Sequence, residues 1–199
     1  MRGYFGIGVE GITKAYNVGN VFRTAHAFDA SFVFTVAAVY QRKPGGHTDT
    51  SKAVGQLPFY EFPDIAAMSL PTGCALVGVE LDDTAVEVPS FRHPQNAAYV
   101  LGSERSGLSK PMIERCDHLI KVPTRFSLNL GIAGVVVMYD RMVSRGRFPG
   151  RPVAPGGPTQ ALPEHVHGGP ILRRPQIQQY RTDPPLAELA EVEKGGRED

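Results

Sequence analysis

The chain has 199 residues, 42% hydrophobic and 21% charged, and its 21 Lys and Arg against 20 Asp and Glu leave a net charge of +1. That length holds one domain of about 150 residues plus an extension. The composition excludes a wholly disordered chain and a histone-like polycation, while a local basic surface stays open.

Five short apolar runs rich in aromatic and β-branched residues follow in order, at residues 4–9, 32–40, 75–81, 97–101 and 119–122. They read as strands. Nearly continuous apolar runs suit strands covered on both faces, hence a mainly parallel sheet. Between the first two, Val18, Val21, Phe22, Ala25 and Phe28 recur at helical spacing, and Asn17 is placed to cap that helix. The last element, residues 128 to about 144, is apolar nearly all round before turning polar at Asp140 and Arg141. Such a helix needs cover from its own sheet and from a second subunit. The expected fold class is α/β, a mainly parallel sheet with helices on both faces.

Composition shifts near Phe148: 8 of the 17 prolines lie at or beyond Pro152. The expected organisation is a domain over 1–147 and a Pro/Gly-rich, extended or partly disordered tail over 148–199, with a short terminal helix at 186–192. Cys74 and Cys116 exclude a disulfide framework, and Cys116 reads as a small buried hydrophobe. The start lacks a signal-peptide core, and the longest apolar run, 131–139, is half of a membrane span of about 18 residues. A soluble, cytoplasmic protein without membrane contact is expected. His165 and His167 lack partners at ligand spacing, so no metal is expected, and His26 reads as a structural or surface residue.

Three constellations carry chemistry. Asn17-Val-Gly-Asn-Val-Phe-Arg23-Thr24 stands at the mouth of the first helix, where free N–H groups favour an anion. Gly102-Ser-Glu104-Arg-Ser-Gly107-Leu108 follows a strand directly, at the carboxyl edge where parallel sheets gather ligands, and glycine there admits a ligand against the backbone. In Lys121-Val-Pro-Thr-Arg-Phe-Ser127-Leu-Asn129, Ser127 reads as the N-cap of the apolar helix, which leaves the Asn129 amide for a ligand. No phosphate-cradling glycine motif is present.

In this order and spacing, Asn-x-Gly-x-x-x-Arg-Thr, Leu-Gly-x-Glu-x-x-Gly-Leu and Ser-Leu-Asn before an apolar helix resemble the SpoU (TrmH-type) RNA 2′-O-ribose methyltransferases of the SPOUT class, over roughly residues 3–147. The resemblance implies a trefoil knot near the C-terminal end of the domain, a homodimer, bound S-adenosylmethionine, and methyl transfer to a ribose 2′-hydroxyl. Position by position it implies catalytic or site roles for Asn17, Arg23, Glu104, Ser127 and Asn129, with Arg23 foremost. It also implies cofactor contacts at Val79, Gly102, Val122 and Leu130. The chain departs from the pattern at Gly131, where the family often has a small polar residue, and in a short stretch from Pro123 to Ser127.

A guanidinium presents donors only, so Arg23 is expected to position an RNA phosphate and stabilise a developing alkoxide rather than act as a simple base. Arg42 and Lys43, with Lys52 near, and Arg105, beside Lys110, are the candidate RNA contacts, and Arg145, Arg147 and Arg151 form a second cluster. The substrate is expected to be tRNA first and rRNA second. The alternative is a non-catalytic RNA-binding dimer, against which the four polar positions Asn17, Arg23, Glu104 and Asn129 speak. The chain opens directly on its first strand and so resembles the minimal catalytic type, with recognition left to the dimer surface, the tail or another protein.

Overall fold

The computed structural model describes residues 3–13, 15–39, 57–103, 105–146, 148 and 156, and of residues 15 and 16 the backbone alone. All elements below lie in the unit Met1–Gly146. The expected tail and its terminal helix lie, residues 148 and 156 apart, outside the described residues.

The five apolar runs become β1 (Phe5–Glu10), β2 (Phe32–Val36), β4 (Ala75–Val79), β6 (Ala97–Leu101) and β7 (His118–Lys121). β2 stops short of its apolar run because Ala37 turns to φ 49°, a left-handed conformation that leaves the extended ladder. Two further strands close the two sheet edges: the short aromatic β3 (Phe59–Phe62), half-buried at Phe59 and Phe62, and the exposed two-residue β5 (Val86–Glu87). The seven-stranded order is β3-β2-β1-β6-β4-β7-β5, with every pairing parallel. Ile7 sits opposite both Val33 and Tyr99, so β1 and β6 form the buried centre.

Alternation along these strands feeds two cores. On one face Phe5, Ile7, Val9, Val77, Tyr99 and Leu101 pack with Val18, Val21, Phe22 and Ala25 of α1 (Ala15–Ala27) and with Val137 and Met138 of α3 (Leu130–Arg145). On the other, Phe32, Phe34, Leu76, Ala98 and Val100 meet Met112 of α2 (Lys110–Arg115). Helices therefore cover both faces, as the continuous apolar runs imply.

Capping differs from the sequence reading at two places. Helix α1 begins at Ala15, so Asn17 lies inside its first turn, 8% exposed, instead of preceding it. Helix α3 is capped by Asn129, whose Oδ1 accepts the Gly131 N–H at 2.9 Å, and not by Ser127. The Asn129 carbonyl is thus engaged by the helix, because the first turn starts two residues later than the apolar pattern suggests.

The C-terminal half of α3 is tied to the amino-terminal edge of the sheet. Arg141 is 5% exposed rather than part of a polar end, and its guanidinium donates to the carbonyls of Tyr4, Pro94 and Gln95 and to the Tyr99 hydroxyl. His93 bridges Tyr99 (2.6 Å) and Asp140 (3.0 Å). Burial holds the His93 imidazole below its ordinary range, with the Asp140 hydrogen bond opposing. The neutral ring donates Nε2–H to Asp140 and accepts from Tyr99, which frees the Tyr99 oxygen to accept from Arg141. Arg145, expected in a basic surface cluster, donates to the His93 carbonyl. Cys116 is half-buried behind α2, and burial pushes its thiol up to about 12.

Candidate active site

In a parallel sheet every strand points its carboxyl end the same way, and loops at that edge gather into one place. Here the ends of β4, β6 and β7 and the start of α3 enclose a cavity of about 340 Å³. Val79, Leu101, Leu130 and Ala133 give it an apolar side; Glu80, Ser103, Lys121, Thr124, Ser127 and Asn129 give it polar groups. That volume and mixture are typical of a small-molecule site. A second, more polar depression adjoins it, lined by Asp82, Asp83 and Glu87 together with Lys121 and Arg125. Hydrogen bonds from the Thr84 side chain and backbone hold the Asp82 carboxyl below its usual range.

The loop after β6 is shaped by two carboxylates that end other strands. Glu80, just beyond β4, accepts the N–H of Leu108 at 2.6 Å and of Leu81 at 3.0 Å. Glu10, the buried last residue of β1, accepts both the N–H and the hydroxyl of Ser109, at 2.9 and 2.6 Å. Ser109 in turn caps α2. The loop doubles back so tightly that a side-chain carbon at Gly102 would fall 1.9 Å from the Gly107 carbonyl carbon. Gly102 is thus demanded by the loop's own return, a reason the sequence reading did not give. Gly107 itself adopts φ 64° with Glu80 directly against it.

The loop after β7 is tied differently. Lys121 donates its Nζ to the Asp82 carbonyl at 2.9 Å, and Thr124 bonds Val122 O through its N–H and Phe126 O through its hydroxyl, both at 2.8 Å. These contacts link the ends of β4 and β7 and set the path into α3.

All four expected cofactor positions, Val79, Gly102, Val122 and Leu130, line the cavity together with Ser127 and Asn129. Asn17 and Arg23 are not among its lining residues. They ride on α1, which packs along α3: Asn20 comes within 3.8 Å of where a side chain at Gly131 would begin, two residues past Asn129. Arg23 is exposed. Arg105 is exposed on the loop after β6, whereas Glu104, Arg42, Lys43, Lys52, Arg147 and Arg151 lie outside the described residues. Glu10 and Glu80 went unnoticed in the sequence, and Lys121 and Thr124, though within the third constellation, were given no role there. The available signal was an acidic residue placed directly at the end of an apolar strand. Among the described residues no helix is long and apolar enough to cross a membrane, and no cluster of three or more His, Cys, Asp or Glu side chains could hold a metal.

The family model of the SpoU rRNA Methylase family matches residues 5–139. An uncharacterized tRNA/rRNA methyltransferase of Synechocystis is 31% identical over 150 residues, 69% of this chain and 38% of that protein. The 23S rRNA (guanosine-2′-O-)-methyltransferase RlmB of Neisseria meningitidis is 26% identical, covering 66% of this chain and 55% of its own length. The chain therefore spans about half the length, or less, of these relatives. Among solved structures, the SpoU methyltransferase AviRb of Streptomyces viridochromogenes, in complex with the cofactor AdoMet, superposes with a TM-score of 0.63 at 22% identity, covering 73% of this chain and 62% of that one. At that identity the likeness is one of fold.

Proposed function

Because the chain belongs to the SpoU rRNA Methylase family, we propose that it is an S-adenosylmethionine-dependent methyltransferase acting on a ribose 2′-hydroxyl of RNA. Its substrate in this reading is a tRNA, with rRNA second. The observation that carries the reading is the cavity at the ends of β4, β6 and β7, where residues far apart in sequence converge.

The residues present fit S-adenosylmethionine. A ligand that joins a flat ring system to hydroxyl, amino and carboxylate groups needs both an apolar wall and scattered polar partners, and the cavity offers both. Val79, Leu101, Leu130 and Ala133 would hold its apolar part and exclude water, with the loop backbones at Gly102 and Val122 beside them. When bound, the cofactor supplies a methyl group on a sulfonium, open to in-line attack by an oxygen.

The chain's own part is to bind and orient the RNA. Arg23, exposed on α1, takes a phosphate in its planar fork, sets the ribose, and stabilises negative charge as it develops on the 2′-oxygen. Asn17 and Asn129 orient Arg23 or the ribose, and Ser127 lines the cavity beside Asn129. In this reading Glu104 fixes Arg23 across the dimer or the cleft. Arg42, Lys43 and Arg105 add phosphate contacts beyond the pocket. The reading includes the trefoil knot beyond Gly102, supported by the fold this chain shares with the SpoU methyltransferase structures. It also includes a homodimer, supported by the exposed stripe Ile132, Val135, Tyr139 and Met142 on one side of α3.

Incubating the chain with total RNA and methyl-labelled S-adenosylmethionine, then mapping ribose methylation, tests the reading and separates tRNA from rRNA. Calorimetric titration with S-adenosylhomocysteine should show micromolar binding. RNA binding without S-adenosylhomocysteine binding or label transfer would replace the reading with that of a non-catalytic RNA-binding dimer.

A further inference from the structure

We propose that Arg125 and Phe126, on the loop between β7 and α3, form an RNA-recognition element, the Phe126 ring stacking on an unpaired base and Arg125 meeting the adjacent phosphate. The proposal rests on the methyltransferase reading and names how the substrate is held at that site.

Phe126 is 77% exposed, the highest value of any exposed large hydrophobic residue described. It joins neither core face. Its backbone, however, is well anchored. The Thr124 hydroxyl donates to the Phe126 carbonyl at 2.8 Å, and the Thr124 N–H donates to Val122 at 2.8 Å. A phenyl ring held out on an anchored loop gains nothing for the fold, since its apolar surface stays in water.

Its neighbours say what could cover it. Thr124 and Ser127, on either side in sequence, line the cavity, and Arg125 lines the adjoining polar depression. Phe126 itself lines neither, so its ring stands outside the cavity, on the loop segment that borders it. An unstacked base offers a flat π-face to an aromatic ring, and a guanidinium one residue away suits the phosphate that accompanies it. This pairing of ring and cation beside the cavity favours single-stranded RNA. The exposed stripe of α3, by contrast, is wholly uncharged.

The test uses the full chain with a fluorescein-labelled single-stranded oligoribonucleotide and with unmodified bulk tRNA. Phe126→Ala should weaken RNA binding about 5- to 150-fold, as loss of one stacking partner does, with S-adenosylhomocysteine affinity unchanged. Phe126→Trp should restore it. Because the sequence contains no tryptophan, the indole emission of Phe126→Trp reports on this position alone, and saturating RNA should quench it. Arg125→Gln should lower the slope of log affinity against log salt by about one phosphate contact. The inference is overturned if Phe126→Ala binds RNA as native, if the indole emission ignores RNA, or if the substitution instead dissociates the chain to monomers in sedimentation, which would make Phe126 a protein contact. A native chain that binds S-adenosylhomocysteine and methylates RNA while Phe126→Ala is neutral defeats this inference alone. A native chain that does neither defeats the parent reading as well.

Discussion

Replacing Gly102 by alanine should disable the proposed cofactor site while a second Gly→Ala change elsewhere is harmless or better. The added carbon would lie 1.9 Å from the Gly107 carbonyl carbon, 2.1 Å from Leu108 N and 2.3 Å from Gly107 O. Ordinary carbon contacts need about 3.5–4.0 Å, so the returning loop must shift by roughly 1.5 Å. All three atoms are backbone, and no rotamer relieves them. The loop cannot shift without straining the bonds that anchor it, Leu108 to Glu80, Ser109 to Glu10 and Gly107 to Ser103. Losing one or two hydrogen bonds to a carboxylate costs about 2–4 kcal/mol. At this chain length that lowers the melting midpoint by about 5–15 °C. A wall displaced by 1 Å or more should weaken S-adenosylhomocysteine binding and cut methyl transfer by about 100-fold. Gly134 in α3 is the matched control, because an added carbon there meets Ile7 at 3.5 Å and Leu101 at 3.9 Å, ordinary packing distances. Gly134→Ala should stabilise the helix by about 0.5–1 kcal/mol. Calorimetric titration and thermal melting of the three proteins side by side decide the matter. Gly102→Ala retaining native affinity and melting midpoint would refute the reasoning.

Three further outcomes are expected. Arg23→Lys and Arg23→Ala should each lower methyl transfer by about 100-fold or more while S-adenosylhomocysteine still binds, since a point charge does not replace a planar fork and Arg23 is not a cavity-lining residue; near-native turnover of both would remove Arg23 from the site. Arg141→Met should cost about 3–5 kcal/mol in urea unfolding, because it strands the Tyr4, Pro94 and Gln95 carbonyls that Arg141 now satisfies; a loss under about 1 kcal/mol would show that water replaces it. Stability should be full above the ordinary imidazole value of 6.5 and fall as pH drops below it. Burial first of all holds folded His93 below that value, so the unfolded chain binds the proton more readily, and the loss levels off only once folded His93 itself protonates. Urea midpoints between about pH 7.5 and 5 should show this slope, and His93→Gln should flatten it.

Much of the architecture was legible in the chain because it follows from local periodicity. The run at 97–101 is β6 residue for residue, and the spacing of Val18, Val21, Phe22 and Ala25 is the buried side of α1. An unbroken apolar run needs cover on both faces wherever it sits, so a parallel sheet between helices could be read without coordinates. The order of three short polar constellations, in turn, carried the family resemblance. Tertiary structure decided what depends on partners distant in sequence. β5 is a strand only because a sheet edge receives it, being exposed and two residues long, and the short aromatic β3 is half-buried only where Phe59 and Phe62 meet the cores. Asn129, not Ser127, became the cap because the start of α3 is set by where Leu130 and Val137 meet the core. Glu10 and Glu80 look like surface acids until Ser109 and Leu108 arrive from across the sheet. Arg141 looks like a solvated charge until carbonyls just before the amino-terminal ends of β1 and β6 close round it. Periodicity belongs to a segment and can be read from it, whereas the partner of a charge is chosen only when the whole chain has folded.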